Sequence, residues 1–220
     1  MLIIFDLDDT LIDTWNTHFP YKIGLVAEKI VELGIISDKD AVFQKIMEVN
    51  NTTVNGTEAI NKCLDSWDVT DNNLREEIID VYYDPAKTQE IPILEGAVEM
   101  LQWAFQHHTL AIVTQGREPE QLSKFPSAHL DQKLFSKVIV TPYFNKGLCY
   151  GELCGELNVL PEETIVIGDK YKTDLLPAKE LGMKTVHMQW GRGKIILPKK
   201  GEIDYSITHL SELKQIIENL

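Results

Sequence analysis

Beyond Pro92 the chain alternates between helical and strand periodicity, and this alternation restricts the fold more than any other feature of the sequence. A helical pattern over 95–106 precedes an apolar strand at 110–114, and a second over 118–124 precedes a strand at 137–141. A third over 148–157 leads to a strand at 164–167, and a fourth over 174–181, stopped by Gly182, leads to a strand at 184–188. A short strand at 204–207 and a closing helix at 211–218 end the pattern. Strands separated by helices imply a parallel sheet covered on both faces. Residues 2–7 are short, branched and apolar on both sides of the chain, the mark of a further buried strand. The expected fold is therefore α/β, a Rossmann-like parallel sheet.

Residues between the first and second strands do not alternate. Ile23, Val26, Ala27, Ile30 and Leu33 recur at helical spacing, and Gly34 stops that helix. Further helical patterns cover 38–49, 57–67 and 72–83, and Asp84-Pro85 with Ile91-Pro92 marks a linker. The reading is a core of residues 1–14 and 89–220, interrupted by an all-helical cap at 15–88.

A chain of 220 residues can bury roughly 70% of the surface its unfolded form exposes. Its net charge of −13 argues against nucleic-acid and anionic-membrane partners, which reward clustered Lys and Arg. Three cysteines are too few for a disulfide framework and read as reduced thiols of a cytoplasmic protein. The first apolar run is broken by aspartates, unlike a signal peptide, and no run approaches the roughly 18 to 20 residues of a membrane span. Nothing in the sequence speaks to the oligomeric state.

Open parallel sheets bind ligands outside the carboxyl ends of their strands. Here the first strand runs into Asp6, Asp8, Asp9 and Thr10, the next ends at Thr114-Gln115-Gly116, and the third runs from Thr141 towards Asn145-Lys146. The fourth ends at Gly168-Asp169, with Asp174 shortly after. Gathered carboxylates repel: two of them about 5 Å apart cost roughly 3 kcal/mol at an effective dielectric near 20. Asp6, Asp8, Asp169 and Asp174 together call for a counter-charge or protonation. An all-oxygen site suits a hard divalent cation, above all Mg2+, which leaves room for a phosphate oxygen. Asp9 and Asp13 are expected to serve as turn or capping residues.

The stretch "IIFDLDDTL", with "LAIVTQG", Lys146 and "IVIGDKYKTD", resembles in order the motifs of the haloacid dehalogenase-like superfamily of phosphotransferases. The inserted helical block is similar to the cap of its small-molecule phosphatases. This resemblance implies a Mg-dependent phosphatase acting on a small phosphorylated metabolite. It implies Asp6 as the nucleophile forming an aspartyl-phosphate and Asp8 as general acid and base. Thr114 and Lys146 contact the phosphoryl group in such a site. The metal is held by Asp6, Asp169 and Asp8, the last through its backbone carbonyl, and Asp174 holds either Lys146 or a metal-bound water. An acid at Asp8 separates phosphatases and phosphomutases from dehalogenases. A sugar phosphomutase and a non-catalytic binding protein on the same fold are the alternatives. Two positions depart from the family pattern: Gln115 stands where Asn is common, and Gly147 where Pro follows the lysine.

Several flanking residues have two readings. Trp15, His18 and Arg117 either border a cleft or simply pack. Lys22, Lys45 and Lys62 either meet an anionic substrate or lie on solvated helix faces. His107-His108 read as helix-end residues, and the basic stretch 190–200 follows a strand's carboxyl end, where it either borders the site or keeps the surface soluble.

Overall fold

A computed structural model describes residues 1–142 and 145–220. The chain forms two compact units, Met1–Trp15 with Glu90–Leu220, and Asn16–Gln89. Strands β1 (Leu2–Phe5), β2 (Thr109–Gln115), β3 (Lys137–Thr141), β4 (Thr164–Gly168), β5 (Lys184–Met188) and β6 (Tyr205–Ile207) lie in the first unit. Helices α1 (Phe19–Glu32), α2 (Lys39–Asn50), α3 (Gly56–Ser66) and α4 (Asn72–Tyr83) form the second. Helices α5 (Ala97–His107), α6 (Glu118–Ser127), α7 (Gly147–Leu157), α8 (Leu176–Glu180) and α9 (Glu212–Glu218) return to the first.

Among the described residues the sheet has the order β3-β2-β1-β4-β5-β6. Every neighbouring pair is parallel. The fold is the α/β class that the alternating periods predict. Strands added after β1 build outward on one side and strands from β4 onward build on the other. Their crossovers therefore diverge between β1 and β4, and a crevice opens at the carboxyl ends of those two strands.

The two-residue period of β1 explains why it is apolar throughout. Leu2 and Ile4 point into one buried cluster with Val166, Tyr150, Leu153, Leu175 and Ala178. Ile3 and Phe5 point into the opposite cluster with Ile165, Ile167, Leu101, Phe125 and Leu213. A strand covered on both faces has no solvent side to mark with polar residues.

Two elements differ from the sequence reading, both at the carboxyl edge. The first strand ends at Phe5 rather than residue 7, because the Leu7 carbonyl accepts the Leu11 N–H at 3.0 Å and Asp9 takes a left-handed φ of 60°. The chain thus leaves the sheet just where the acidic residues begin. The pattern at 174–181 divides into a wider π turn at Tyr171–Leu175 and the short α8, which starts with Pro177 in its first turn.

Within the second unit, α1 through α4 bury Ile23, Val26, Ile30, Val42, Ile46, Ile60, Leu64 and Ile78 in one cluster. Asp38, Asn55 and Asp71 cap the starts of α2, α3 and α4 by accepting backbone N–H groups. Gly34, at a φ of +70°, ends α1. Among the described residues no helix is long and apolar enough to cross a membrane.

Because Ile4 is fully buried in the central strand, Ile4→Val should cost about 0.5–1.5 kcal/mol in urea unfolding, with an unchanged denaturant slope.

Candidate active site

The β1 ladder delivers Asp6 to the crevice. Its N–H still donates to the Ile167 carbonyl at 2.9 Å, so its backbone is locked beside Gly168 and Asp169. The Asp6 carboxylate is buried and accepts a bond from the Lys146 ammonium at 2.7 Å on Oδ1. Lys146 also reaches Asp174 Oδ1 at 2.8 Å. Burial opposes the charge on Lys146, but Asp174 and Asp6 outweigh it and hold the lysine pKa above its ordinary range.

Asp174 is fixed on every side. Its Oδ1 also accepts the Thr173 hydroxyl at 3.1 Å, and Oδ2 accepts the Lys170 N–H at 2.9 Å. The π turn brings it close against the end of β4, where a Cβ on Gly168 would sit 2.6 Å from the Asp174 Cβ. Only glycine permits that approach.

Asp169 is different. Both of its carboxylate oxygens are buried and, among the described residues, accept no hydrogen bond. The Lys170 ammonium stands 3.6 Å from Oδ1, an ion-pair distance without a hydrogen bond. Burial pushes the Asp169 carboxyl well above its usual range; Lys170 opposes this, while Asp9, Asp174 and Asp6 add to it. Ligand oxygens of Asp6, Asp169 and Asp174 all lie within 4.8 Å of one another. A cluster of three buried carboxylates with two orphaned oxygens has the chemistry of a hard-cation site, and a cation there would satisfy both the orphaned oxygens and the raised carboxyl.

The Asp8 side chain does not join this cluster. The turn after Leu7 swings its carboxylate to α6, where the Lys124 ammonium bonds Oδ1 at 2.9 Å and Oδ2 at 2.8 Å. Gln121 adds an amide N–H to Oδ2 at 3.1 Å. The same amide donates to the Thr114 hydroxyl oxygen at 2.5 Å. Since Thr114 accepts from Gln121, its own O–H is left to point at another acceptor. Gly116, at a φ of +157°, has no Cβ and so leaves space for Gln121; a Cβ there would meet the Gln121 Cγ at 2.8 Å. The structure thus brings Asp6, Lys146, Asp169 and Asp174 into direct contact or near contact, and ties Asp8 and Thr114 together through a second, separate network.

Asp9 and Asp13 act as loop ties. Asp9 Oδ1 accepts the Thr14 hydroxyl at 3.0 Å and the Trp15 N–H at 2.7 Å. Asp13 accepts the Trp190 indole N–H at 3.0 Å, which brings the start of the basic 190–200 stretch against the first loop. In the second unit Lys45 and Lys62 pair with Glu48 and Glu58 on the surface, as solvated faces require. Lys22 is instead buried and donates to the Asp84 carbonyl at 2.6 Å. His107 stacks on Trp103 at the end of α5. Of the two family departures, Gly147 opens α7 with an N–H that donates to Asn145 Oδ1 at 2.8 Å, a bond proline could not make.

Sequence reasoning missed Lys124, Gln121, Glu120 and His187. The first three lie on one face of α6, where Lys124 also pairs with Glu120 at 3.1 Å. The spacing of Glu120 and Lys124 is that of an ordinary surface pair; only their burial distinguishes them. His187 is fully buried under the site, with Nε2 3.0 Å from the Asp169 carbonyl. A carbonyl can only accept, so Nε2 carries the proton, and burial lowers the histidine pKa.

A family model described as haloacid dehalogenase-like hydrolase matches residues 3–188. The chain belongs to that family. A glyceraldehyde 3-phosphate phosphatase of Pyrococcus furiosus is 28% identical over 99% of this chain and 92% of its own length. A protein from Haemophilus somnus described as a predicted phosphoglycolate phosphatase is 17% identical and superposes with a TM-score of 0.75, covering 98% of this chain and 97% of that one. A magnesium-bound family hydrolase from Bacillus subtilis is 19% identical, with a TM-score of 0.70 over 99% of this chain and 98% of that one. The two structures establish a shared fold.

Burial raises the Asp9 carboxyl to about 6, with Lys170 opposing and Asp8 adding to the shift. The folded state therefore holds this proton more tightly than the unfolded chain, and the stability it contributes is lost as pH rises from about 4 to about 6. In metal-free buffer Asp9→Asn should flatten the pH dependence of the unfolding free energy across that interval.

Proposed function

We propose that this chain is a Mg2+-dependent phosphomonoesterase that hydrolyses a small phosphorylated metabolite through an aspartyl-phosphate. The observation that carries the reading is the buried Asp6 carboxylate held on Lys146 at the β1/β4 crevice, beside the unsatisfied Asp169. Asp6 attacks phosphorus, the bond from phosphorus to the ester oxygen breaks, and Asp8 delivers a proton to the departing alcohol. Water then attacks the phosphorus of the intermediate as Asp8 takes its proton. The bond from phosphorus to the Asp6 oxygen breaks, releasing inorganic phosphate and restoring the carboxylate.

Phosphoryl transfer depends chiefly on positioning and charge neutralisation. The Lys146 ammonium supplies fixed positive charge, and the Thr114 hydroxyl donates to a phosphoryl oxygen. Asp6, Asp169 and the Asp8 backbone carbonyl would hold the metal, which when bound supplies the charge that offsets the carboxylates and the phosphoryl oxygens. Asp174 holds Lys146, and this bond supports the lysine-orienting role for it. The helical unit Asn16–Gln89 serves as the cap that selects the substrate. The three free cysteines of the chain agree with a cytoplasmic setting. The names of the curated relatives make glyceraldehyde 3-phosphate the first ester to test.

Release of inorganic phosphate from that ester and from p-nitrophenyl phosphate should require Mg2+, cease in EDTA and be abolished by Asp6→Asn. Isomerisation without phosphate release would instead make the protein a mutase, and full activity in Asp6→Asn would remove the covalent mechanism. Asp8→Asn should lower kcat/KM on glyceraldehyde 3-phosphate by about 10²–10⁴-fold. Thr114→Ala should cost about 10²–10³-fold in kcat.

A further inference from the structure

We infer that Lys124, backed by Glu120 and Gln121, is the positioning residue that sets where Asp8 exchanges its proton. The inference rests on the acid and base role given to Asp8 above. Asp8 lies outside the named strands and helices, in an isolated bridge with Ile12, so its own element does not fix its side chain. What holds it comes from α6, more than a hundred residues away in sequence. The Lys124 ammonium contacts both Asp8 oxygens and Glu120, and it also bonds Gln121 Oε1. Gln121 contacts Asp8 Oδ2 and Thr114 in turn.

An ionised carboxylate offers about four acceptor positions. Lys124 takes one on each oxygen and Gln121 takes a second on Oδ2, so the open position is on Oδ1. The Asp8 side chain keeps 19% of its surface exposed, against 6% for Lys124, so the carboxylate is partly reachable from outside while its anchor is buried. Three contacts that leave one open lone pair fix the direction of proton exchange. Such alignment is what a general acid must have, and about 1 Å of misplacement can cost about 10²-fold in rate. Because Gln121 bonds Asp8 and Thr114 with the same amide, the proton-transfer group and the phosphoryl-contacting hydroxyl are held in one fixed relation.

This role predicts a defect that depends on the leaving group. A nitrophenolate departs without a proton at neutral pH, whereas the alkoxide of glyceraldehyde 3-phosphate requires one. The test compares kcat/KM on these two esters, at saturating Mg2+, for the wild type, Asp8→Asn, Lys124→Arg and the double variant Glu120→Gln/Lys124→Met. The Glu120→Gln half keeps Glu120 from facing a missing cation, so that Asp8, which is partly exposed, is the one carboxylate that loses Lys124. Circular dichroism and cooperative melting report folding.

The double variant, like Asp8→Asn, should lose about 10²-fold on glyceraldehyde 3-phosphate and less than about tenfold on p-nitrophenyl phosphate. Lys124→Arg should recover most of the alkyl activity. Equal losses on both esters in the double variant, while Asp8→Asn discriminates, would reduce Lys124 to a structural residue and overturn the inference. If Asp8→Asn itself fails to discriminate, the acid assignment falls first and the role of Lys124 falls with it. Gln121→Met breaks the Oδ2 contact without removing a buried charge and reads the same discrimination in a second protein. An equal loss on the two esters there counts against the inference in the same way.

Discussion

The ion pair between Lys146 and two buried aspartates is the interaction on which the site depends. Asp6 and Asp174 arrive from different places, one on the central strand and the other on the turn after β4, and Lys146 joins them from the start of α7. Each partner is almost wholly removed from water. Buried ions persist only when paired, and removing one partner of such a set typically costs about 3–5 kcal/mol through the charge left behind. The triad therefore commits the ends of β1 and β4 and the start of α7 to one arrangement. It still leaves the carboxylates in excess over the lysine, and Asp169 carries the unmet demand in its two orphaned oxygens. That excess of carboxylate charge is the demand a hard cation would meet.

The second network has a different physical character. Asp8, Lys124, Glu120, Gln121 and Thr114 form a continuous chain of bonds that leaves Asp8 partly open. Burial opposes the charge of Lys124, while Asp8 and Glu120 together hold its pKa above the ordinary range. Separating the two networks keeps Asp6 and Asp8, the proposed nucleophile and proton-transfer group, from competing for one counter-ion. Asp6 answers to Lys146, and Asp8 answers to Lys124. The two-residue spacing between Asp6 and Asp8 makes this possible only because the strand stops at Phe5. In an unbroken strand both side chains would lie on the same face, and they would share their surroundings.

Much of this was legible in the sequence. The apolar run of β1, the alternation after Pro92 and the helical insert each follow from hydrophobic period, which survives in sequence because it records burial on one or two faces. The acidic and hydroxyl residues at four strand ends could be placed at one edge because parallel strands share a direction. That rule, together with the family motifs, singles out Asp6, Thr114, Lys146, Asp169 and Asp174 as candidates. Asp8 was found too, but not the way its carboxylate turns. The handling of Asp174 was left between two roles, and a distance of 2.8 Å to Lys146 is what speaks for one of them.

What sequence alone determined is the strand that ends in carboxylates, the parallel α/β order that collects them, and the helical insert that follows. These depend on neighbouring residues and on periods a few residues long. What only the tertiary structure decided is which cation meets which carboxylate. Glu120 and Lys124 read as a surface pair on an exposed helix, and His187 reads as one more strand residue. Their burial, and their reach across the fold to Asp8 and Asp169, arise from the packing of α6 and β5 against the loops at the carboxyl edge. A long-range contact between charged groups leaves no period in the chain, because its geometry exists only once the sheet has brought distant residues together.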